Sequence, residues 1–467
     1  DLLGKVEGGG RVVLYAVPTL ALAREAARDL RALGGGVRVE LWEGRHDGNC
    51  IRSELVGAMA KVVPNGAGKV CADCDRCAPG LNQCGFKRQE ARLALQPGER
   101  GLVIVTTHAR LVGHDLLDAK GQLTRSALPF APSVVVVDED ASGSVLGELS
   151  VDLAGLAGLD AAGALDVDAE TLRTLQRLIG GGGSFGLAPW ADLLGQVRAR
   201  DLSAYGREVL AGASSVTGDA ERAGVLGARL VSWQVPAALE RASALGWVGA
   251  FVHKGRLTLP WDAALPRGTH ATIYLDATGD KVAAQAVLGP DAGWDDLRVA
   301  APSSVRFVQV AGVSSSKGDL CGDGGRPRSA RALALWLSAR LRFDGPDVLH
   351  VTHKATADLL RGHVVGPVIH FEGGEARGSN AYEECSRVVL DEWHVPHVTI
   401  EALAARLVAR GAAPDDARAS ARRRLLLAPV EQAAGRVRPY NGQAREVVFL
   451  GEARGVEVDA EQDAAAL

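Results

Sequence analysis

"SVVVVDEDAS", residues 133–142, is a run of four valines that ends in three acids. An unbroken β-branched run favours a strand buried on both faces, as in a parallel sheet. The run ends at Asp138 and Glu139, so the strand delivers carboxylates to its own C-terminal end. That edge is where open α/β sheets bind ligands.

The same texture recurs on both sides. "RVVLYAVPTLALAREAARDLRALG" (11–34) is an apolar run, a Pro-Thr break and then a helical period. "GERGLVIVTTHARLVGHDLL" (98–117), "ATIYLDATGD" (271–280) and "PDVLHVTHKATADLL" (346–360) repeat the strand-then-turn pattern. "SRVVLDEWHVP" (386–396) and "REVVFLGE" (445–452) supply further strands, and "EQAAGRVRP" (431–439) lies in a helix before the last of these. Between 150 and 245, "DAETLRTLQRLI" and "PAALERASALG" read as helices, and "GGGGSFG" (180–186) reads as a flexible linker. Alternating strands and helices interrupted in this way predict an α/β protein with two parallel-sheet domains, about 1–290 and 291–467. The first carries a cysteine-rich insert over 43–95 and a helical insert over 150–245.

Composition sets bounds. Hydrophobic residues make up 47% and charged residues 23% of 467 residues, which is ordinary for a globular chain. No apolar run reaches the ~18 residues that a membrane span needs. No signal-peptide pattern opens the chain, so a cytoplasmic protein is expected. The sequence begins with Asp1 and reads as mid-protein, so an upstream segment is expected too. Only nine of the 52 basic residues are Lys, a bias we attribute to genomic base composition. Aromatic residues are 4%, which excludes widespread base stacking.

Each motif has a bland reading beside a chemical one. An apolar strand ending in Asp-Glu has the form of a Walker B element, in which Asp138 holds Mg²⁺ through water and Glu139 polarises the attacking water. Such strands also end in acids without function. Thr278 in "LDATGD" is by itself a turn residue. Gln432, Arg436 and Arg438 form either a solvated basic helix end or a set that reaches a γ-phosphate. His108 and His353 read as hydrogen-bonded structural histidines.

Order and spacing tie these segments together. "YAVPTLALA" (15–23), "VVVVDED" (134–140), "LDATGD" (275–280), "VLHVTHK" (348–354), "EARGSN" (375–380) and "QAAGRVRP" (432–439) resemble motifs Ia, II, III, IV, V and VI of the ATP-dependent superfamily 2 helicases, over roughly the whole chain. "LWEGRHDGNC" (41–50) and "VIVTTHARLV" (103–112) resemble elements that flank the iron–sulfur insert of the XPD/DinG branch. Related phage and plasmid helicase-like proteins share such cysteine-rich inserts and an "RGSN" segment. The resemblance implies two RecA-like domains, ATP and Mg²⁺ as cofactors, and single-stranded or forked DNA as partner, with replication or repair proteins beside it. It places Asp138, Glu139, Gln432, Arg436 and Arg438 in catalysis and Thr278, Gly378 and Gly435 at the nucleotide. It places Thr19, Thr107 and Arg377 near the DNA path.

Three departures stand out. Asn380 occupies the place of a common Asp in motif V. Motif VI reads GRVR instead of GRxxR, so Arg436 is favoured over Arg438 as the finger. There is no Walker A: in "NGAGKV" (65–70) Lys69 precedes Val70, and the first glycine of GxxxxGK[ST] would fall on Val63. The resemblance therefore puts the phosphate-cradling lysine upstream of residue 1.

"VCADCDRCAPGLNQCGF" (70–86) holds four of the seven cysteines, and Cys50 precedes it. In a reducing compartment, C-x20-C-x2-C-x2-C-x6-C provides more than the four thiolates that Zn²⁺ or a [4Fe–4S] cluster takes. The resemblance puts ligands at Cys50 and Cys84. Cys71 and Cys77 complete the expected set, and Cys74 is the spare. The segment is polar and Gly-rich, so the metal is expected to supply its folding energy. Phe86 is expected to pack this module, and Cys321 and Cys385 are expected to be ordinary core or surface residues. The reading is a DNA helicase or translocase that couples ATP hydrolysis to movement along one strand. The alternative is a non-hydrolysing helicase-like DNA-binding protein of a phage or plasmid replication system. A nuclease or primase subunit lacks a supporting carboxylate cluster.

Overall fold

The computed structural model describes residues 11–62, 70–71, 74, 84–111, 115–117, 123–125, 130, 132–200, 234–262, 271–276, 279–295, 304–321, 329–371, 381–437, 444–452 and 459–463. The chain divides into two compact units. One comprises 1–276, 281–292 and 401–418, and the other 277–280, 293–400 and 419–467.

The first unit is built on a five-stranded parallel sheet: β1 (Arg11–Val17), β2 (Arg38–Leu41), β3 (Gly101–Thr107), β4 (Val134–Asp138) and β5 (Ala271–Leu275), in the order β5-β4-β1-β3-β2. The apolar runs explain the positions: Val135, Val137, Leu14 and Ile104 are fully buried, and only edge strand β5 is largely exposed. After β1 the chain turns into helix α1 (Leu20–Leu33). Thr19 caps its first turn, and Gly34, at φ 68°, ends it in a conformation that disfavours a side chain. Ala23 and Ala27 face the sheet, small enough to let the helix lie close. Helix α2 (Gly85–Ala91) precedes β3, and the single turn α3 (His108–Leu111) follows it.

Residues 146–262 depart from the all-helical expectation. Helices Leu153–Ala161, Ala169–Gly180 and Gln234–Ala244 are present. They accompany a four-stranded antiparallel sheet of Leu146–Asp152, Arg256–Asp262, Phe251–His253 and Phe185–Gly186. The helical signals are local, whereas Leu146–Asp152 pairs with a segment about a hundred residues away, and no short window of sequence registers that. The tail of the Gly-rich run is likewise not a free linker, because Phe185 and Gly186 pair with Val252 and Phe251. Lys254 and Gly255 both have positive φ and close the hairpin that joins the two neighbouring strands.

The second unit carries a six-stranded parallel sheet: β6 (Val305–Ala311), β7 (Val348–Thr352), β8 (Val368–His370), β9 (Arg387–Asp391), β10 (Arg445–Leu450) and β11 (Ala460–Asp463), in the order β8-β7-β9-β10-β6-β11. Helix α4 (Ala330–Arg342) buries Trp336 and Arg340 against one face. Helix α5 (Ala428–Ala434) packs Ala433 and, beyond its end, Val437 against the other core. Cys321 and Cys385 are buried among these apolar residues, as expected.

Candidate active site

In the first sheet, the chain leaves β1 toward β2 and leaves β4 toward β5, on the opposite side. The crevice between the carboxyl ends of these two adjacent strands is the sheet's topological switch point. β1 brings Tyr15 and, just beyond its end, Thr19. β4 brings Asp138, followed by Glu139 and Asp140.

The acidic turn is pinned from three strands. Tyr15 Oη donates to Asp138 Oδ2 at 2.5 Å. Burial, reinforced by the Asp138 carboxylate, pushes the Tyr15 hydroxyl far above its ordinary range, so it remains a donor. His108 Nε2 meets the Asp138 carbonyl at 2.8 Å, which requires the tautomer protonated at Nε2. Burial lowers the His108 pKa and keeps the ring neutral. The Glu139 amide donates to the Leu275 carbonyl at 2.6 Å. Tyr274 Oη donates to Asp140 Oδ1 at 3.0 Å and accepts from the Ala141 amide at 2.9 Å.

Glu139 itself sits at φ 61°, a left-handed conformation that a non-glycine residue rarely adopts. Such strain persists where the surroundings over-determine the backbone, and it concentrates at functional turns. The supporting tyrosines carried little signal in the sequence, because each is one more aromatic inside an apolar strand. His108 holds the structural role expected of it.

Thr19 lies two residues beyond the end of β1, where its Oγ1 accepts from the Leu22 amide at 3.3 Å. Thr107 is the half-buried last residue of β3. Gln432 and Arg436 belong to the second unit, half-buried and one turn apart, beside the buried stripe of Ala433 and Val437. Gly435 opens the 3₁₀ turn that contains Arg436. Thr278, Arg377, Gly378, Arg438 and Cys77 lie outside the described residues.

Cys50, Cys74 and Cys84 are buried and Cys71 is half-buried. Burial raises the Cys50 pKa first of all, and the nearby Cys84 and Cys71 sulfurs raise it further. The two outer cysteine segments are tied together by the Phe86 amide, which donates to the Asn49 carbonyl at 3.0 Å. A Cβ on Gly85 would stand 3.0 Å from that same oxygen, a contact tighter than most side chains make, so the close approach favours glycine. Phe86 is fully buried with the Arg45 guanidinium 4.0 Å from its ring centre. Leu55, Val56 and Val70 join the apolar core shared with the antiparallel sheet. These described residues of the segment therefore have apolar packing of their own. Among the described residues, no group of three or more Cys, His, Asp or Glu is arranged to hold a metal ion.

No protein-family model matches the chain, and no curated protein matches it. Among solved structures, the chain is similar to S. tokodaii Xpd4, with a TM-score of 0.40 and 12% identity over 96% of this chain and 92% of that one. A truncated XPD aligns with a TM-score of 0.31 and 14% identity, over 62% of this chain and 88% of that one. No helix among the described residues is long and apolar enough to cross a membrane.

Proposed function

We propose that the protein is an ATP-dependent DNA helicase or translocase of the superfamily 2 type, with two RecA-like units. The observation that carries this reading is the acidic turn at the first sheet's switch point, where Glu139 is held at φ 61° by a bond to Leu275 while Tyr15 orients Asp138. Asp138 has the chemistry to hold Mg²⁺ through water, and bound Mg²⁺ would offset the phosphate charge. Glu139 would orient and polarise the attacking water. Gln432 and Arg436, with Arg438 beside them, would meet the γ-phosphate from the second unit. Thr278, Gly378 and Gly435 would serve the nucleotide, and Thr19, Thr107 and Arg377 the DNA strand. Cys50, Cys71, Cys77 and Cys84 supply a donor set suited to a [4Fe–4S] cluster or Zn²⁺.

The deciding measurement is ATP turnover by the full-length protein with and without single-stranded DNA. DNA-stimulated hydrolysis that Glu139→Gln abolishes, with ATP binding retained, supports the reading. DNA binding without any turnover supports the non-hydrolysing alternative. Iron and zinc analysis of protein purified anaerobically without chelators tests the thiol site. Cys84→Ser should release the metal and loosen residues 50–84 to proteolysis, and protein containing neither metal would sink that part of the proposal.

A further inference from the structure

The segment leading to Gln432 and Arg436 is not a regular helix. Residues Arg423–Leu427 form a π turn, in which the Ala428 amide reaches back five residues to the Arg423 carbonyl. Its cause is legible two residues later. Pro429 has no N–H, and its ring excludes the carbonyl four residues back from α geometry. That carbonyl belongs to Leu425, and it is not left without a donor: Trp393 Nε1 donates to it at 2.7 Å.

Trp393 is itself fixed from the carboxyl edge of the second sheet. It follows β9 by two residues, lies 4.9 Å from Phe371 and stacks on His353 at 6.1 Å and 22°. His353 is buried, with Nε2 3.1 Å from the Ser315 carbonyl. The Ser315 hydroxyl donates to the Leu450 carbonyl and accepts from the Glu392 amide. Residues following β7 and β8 thus pack directly on the indole, and Ser315, beyond β6, ties His353 to Leu450 at the end of β10. An ion pair between Arg423 and Glu431, 3.3 Å, spans the turn from its solvent side.

We infer that Trp393 is a positioning residue. Its indole N–H stands in for the backbone donor that Pro429 cannot supply, holds the π turn, and so sets the register in which Gln432 and Arg436 are presented. The extra residue of a π turn rotates everything after it by about 100° relative to a continuous α-helix, so register decides where those two side chains point. This inference rests on the roles proposed above for Gln432 and Arg436.

The test is Trp393→Phe in the full-length protein, which keeps an aromatic ring and removes the N–H. Hydrogen exchange of the backbone over residues 424–434 should rise about tenfold, matching the loss of one hydrogen bond. The DNA-stimulated kcat should fall about tenfold, with KM for ATP within about twofold, as for an interaction made only in the transition state. Adding Pro429→Ala returns a backbone donor to position 429. Exchange protection should then recover while kcat stays low, because the relaxed helix places Gln432 and Arg436 one residue out of register. Wild-type exchange in Trp393→Phe overturns the inference, as does recovery of both readouts in the double variant. If the wild-type protein does not turn over ATP, the functional reading fails, and the exchange measurements still decide whether Trp393 holds the turn.

Discussion

"VVVVDED" (134–140) and "RVVLDEW" (387–393) are nearly the same phrase: an apolar strand that ends in Asp-Glu. The two units treat it differently. At the end of β4, Asp138 is half-buried and hydrogen-bonded by a tyrosine, and Glu139 is strained. At the end of β9, Asp391 is 2% exposed and fully engaged. Arg340 pairs with it at 2.6 Å with both side chains inaccessible, Trp336 Nε1 donates to it at 2.7 Å, and the Thr352 hydroxyl donates to its other oxygen. Arg340 also donates to the Val389 and Val351 carbonyls, both at 2.7 Å. The first aspartate keeps partial exposure to solvent. The second locks α4 to its sheet. How an acid at a strand's carboxyl end is engaged depends on which distant side chains reach it.

Substitutions that treat the two acidic ends alike should break this comparison. The largest effect is expected at Glu139→Gln, which should lower DNA-stimulated kcat by about 10³ or more with little change in unfolding midpoint. A variant of ordinary activity would show that the strained turn serves the fold alone.

Asp391→Asn should do the reverse. It leaves the Arg340 charge buried without its partner and should cost about 3–5 kcal/mol in denaturant unfolding, with residual activity tracking the folded fraction. A loss of activity without loss of stability would make Asp391 a reacting group.

His350, next to this pair, sharpens the contrast through pH. Burial, with the Arg340 charge adding, depresses its pKa from 6.5 to about 4. Between those values the unfolded chain binds a proton that the folded chain does not. Stability is therefore full above about pH 6.5 and is lost as pH falls toward 4, by about 3 kcal/mol for the whole window. Unfolding measured at pH 7 and 4.5 should show the decline, and His350→Gln should flatten it. The first sheet's switch point has its own buried neutral histidine, His108, whose pKa burial also lowers, so His108→Gln separates the two contributions.

The smallest effect is expected at Gly85→Ala. The new methyl would stand 3.0 Å from the Asn49 carbonyl and push apart the segments bearing Cys50 and Cys84, at about 1 kcal/mol. If the thiol site holds the proposed metal, the sensitive readout is its retention against a chelator, which should fall even where the unfolding midpoint barely moves.

The α/β character and the parallel pairing of the strands were legible in the sequence. β-branched runs bounded by turn residues report burial on both faces, and Thr19 and Gly34 mark the ends of α1 by local rules of capping and backbone sterics. The acidic pair was legible too, as was the clustering of the cysteines. The antiparallel sheet within 146–262 was not, because Leu146–Asp152 finds its partner about a hundred residues away and Phe185–Gly186 joins a hairpin formed far along the chain. The sequence could not say which Asp-Glu end is open and which is consumed. That depends on Arg340 and Trp336 reaching Asp391, on Tyr15 reaching Asp138 and on Tyr274 reaching Asp140, across separations of 51, 55, 123 and 134 residues. Local chemistry writes the element and its ends. Burial and hydrogen-bond satisfaction, which decide what a terminal carboxylate does, are set only when distant elements pack.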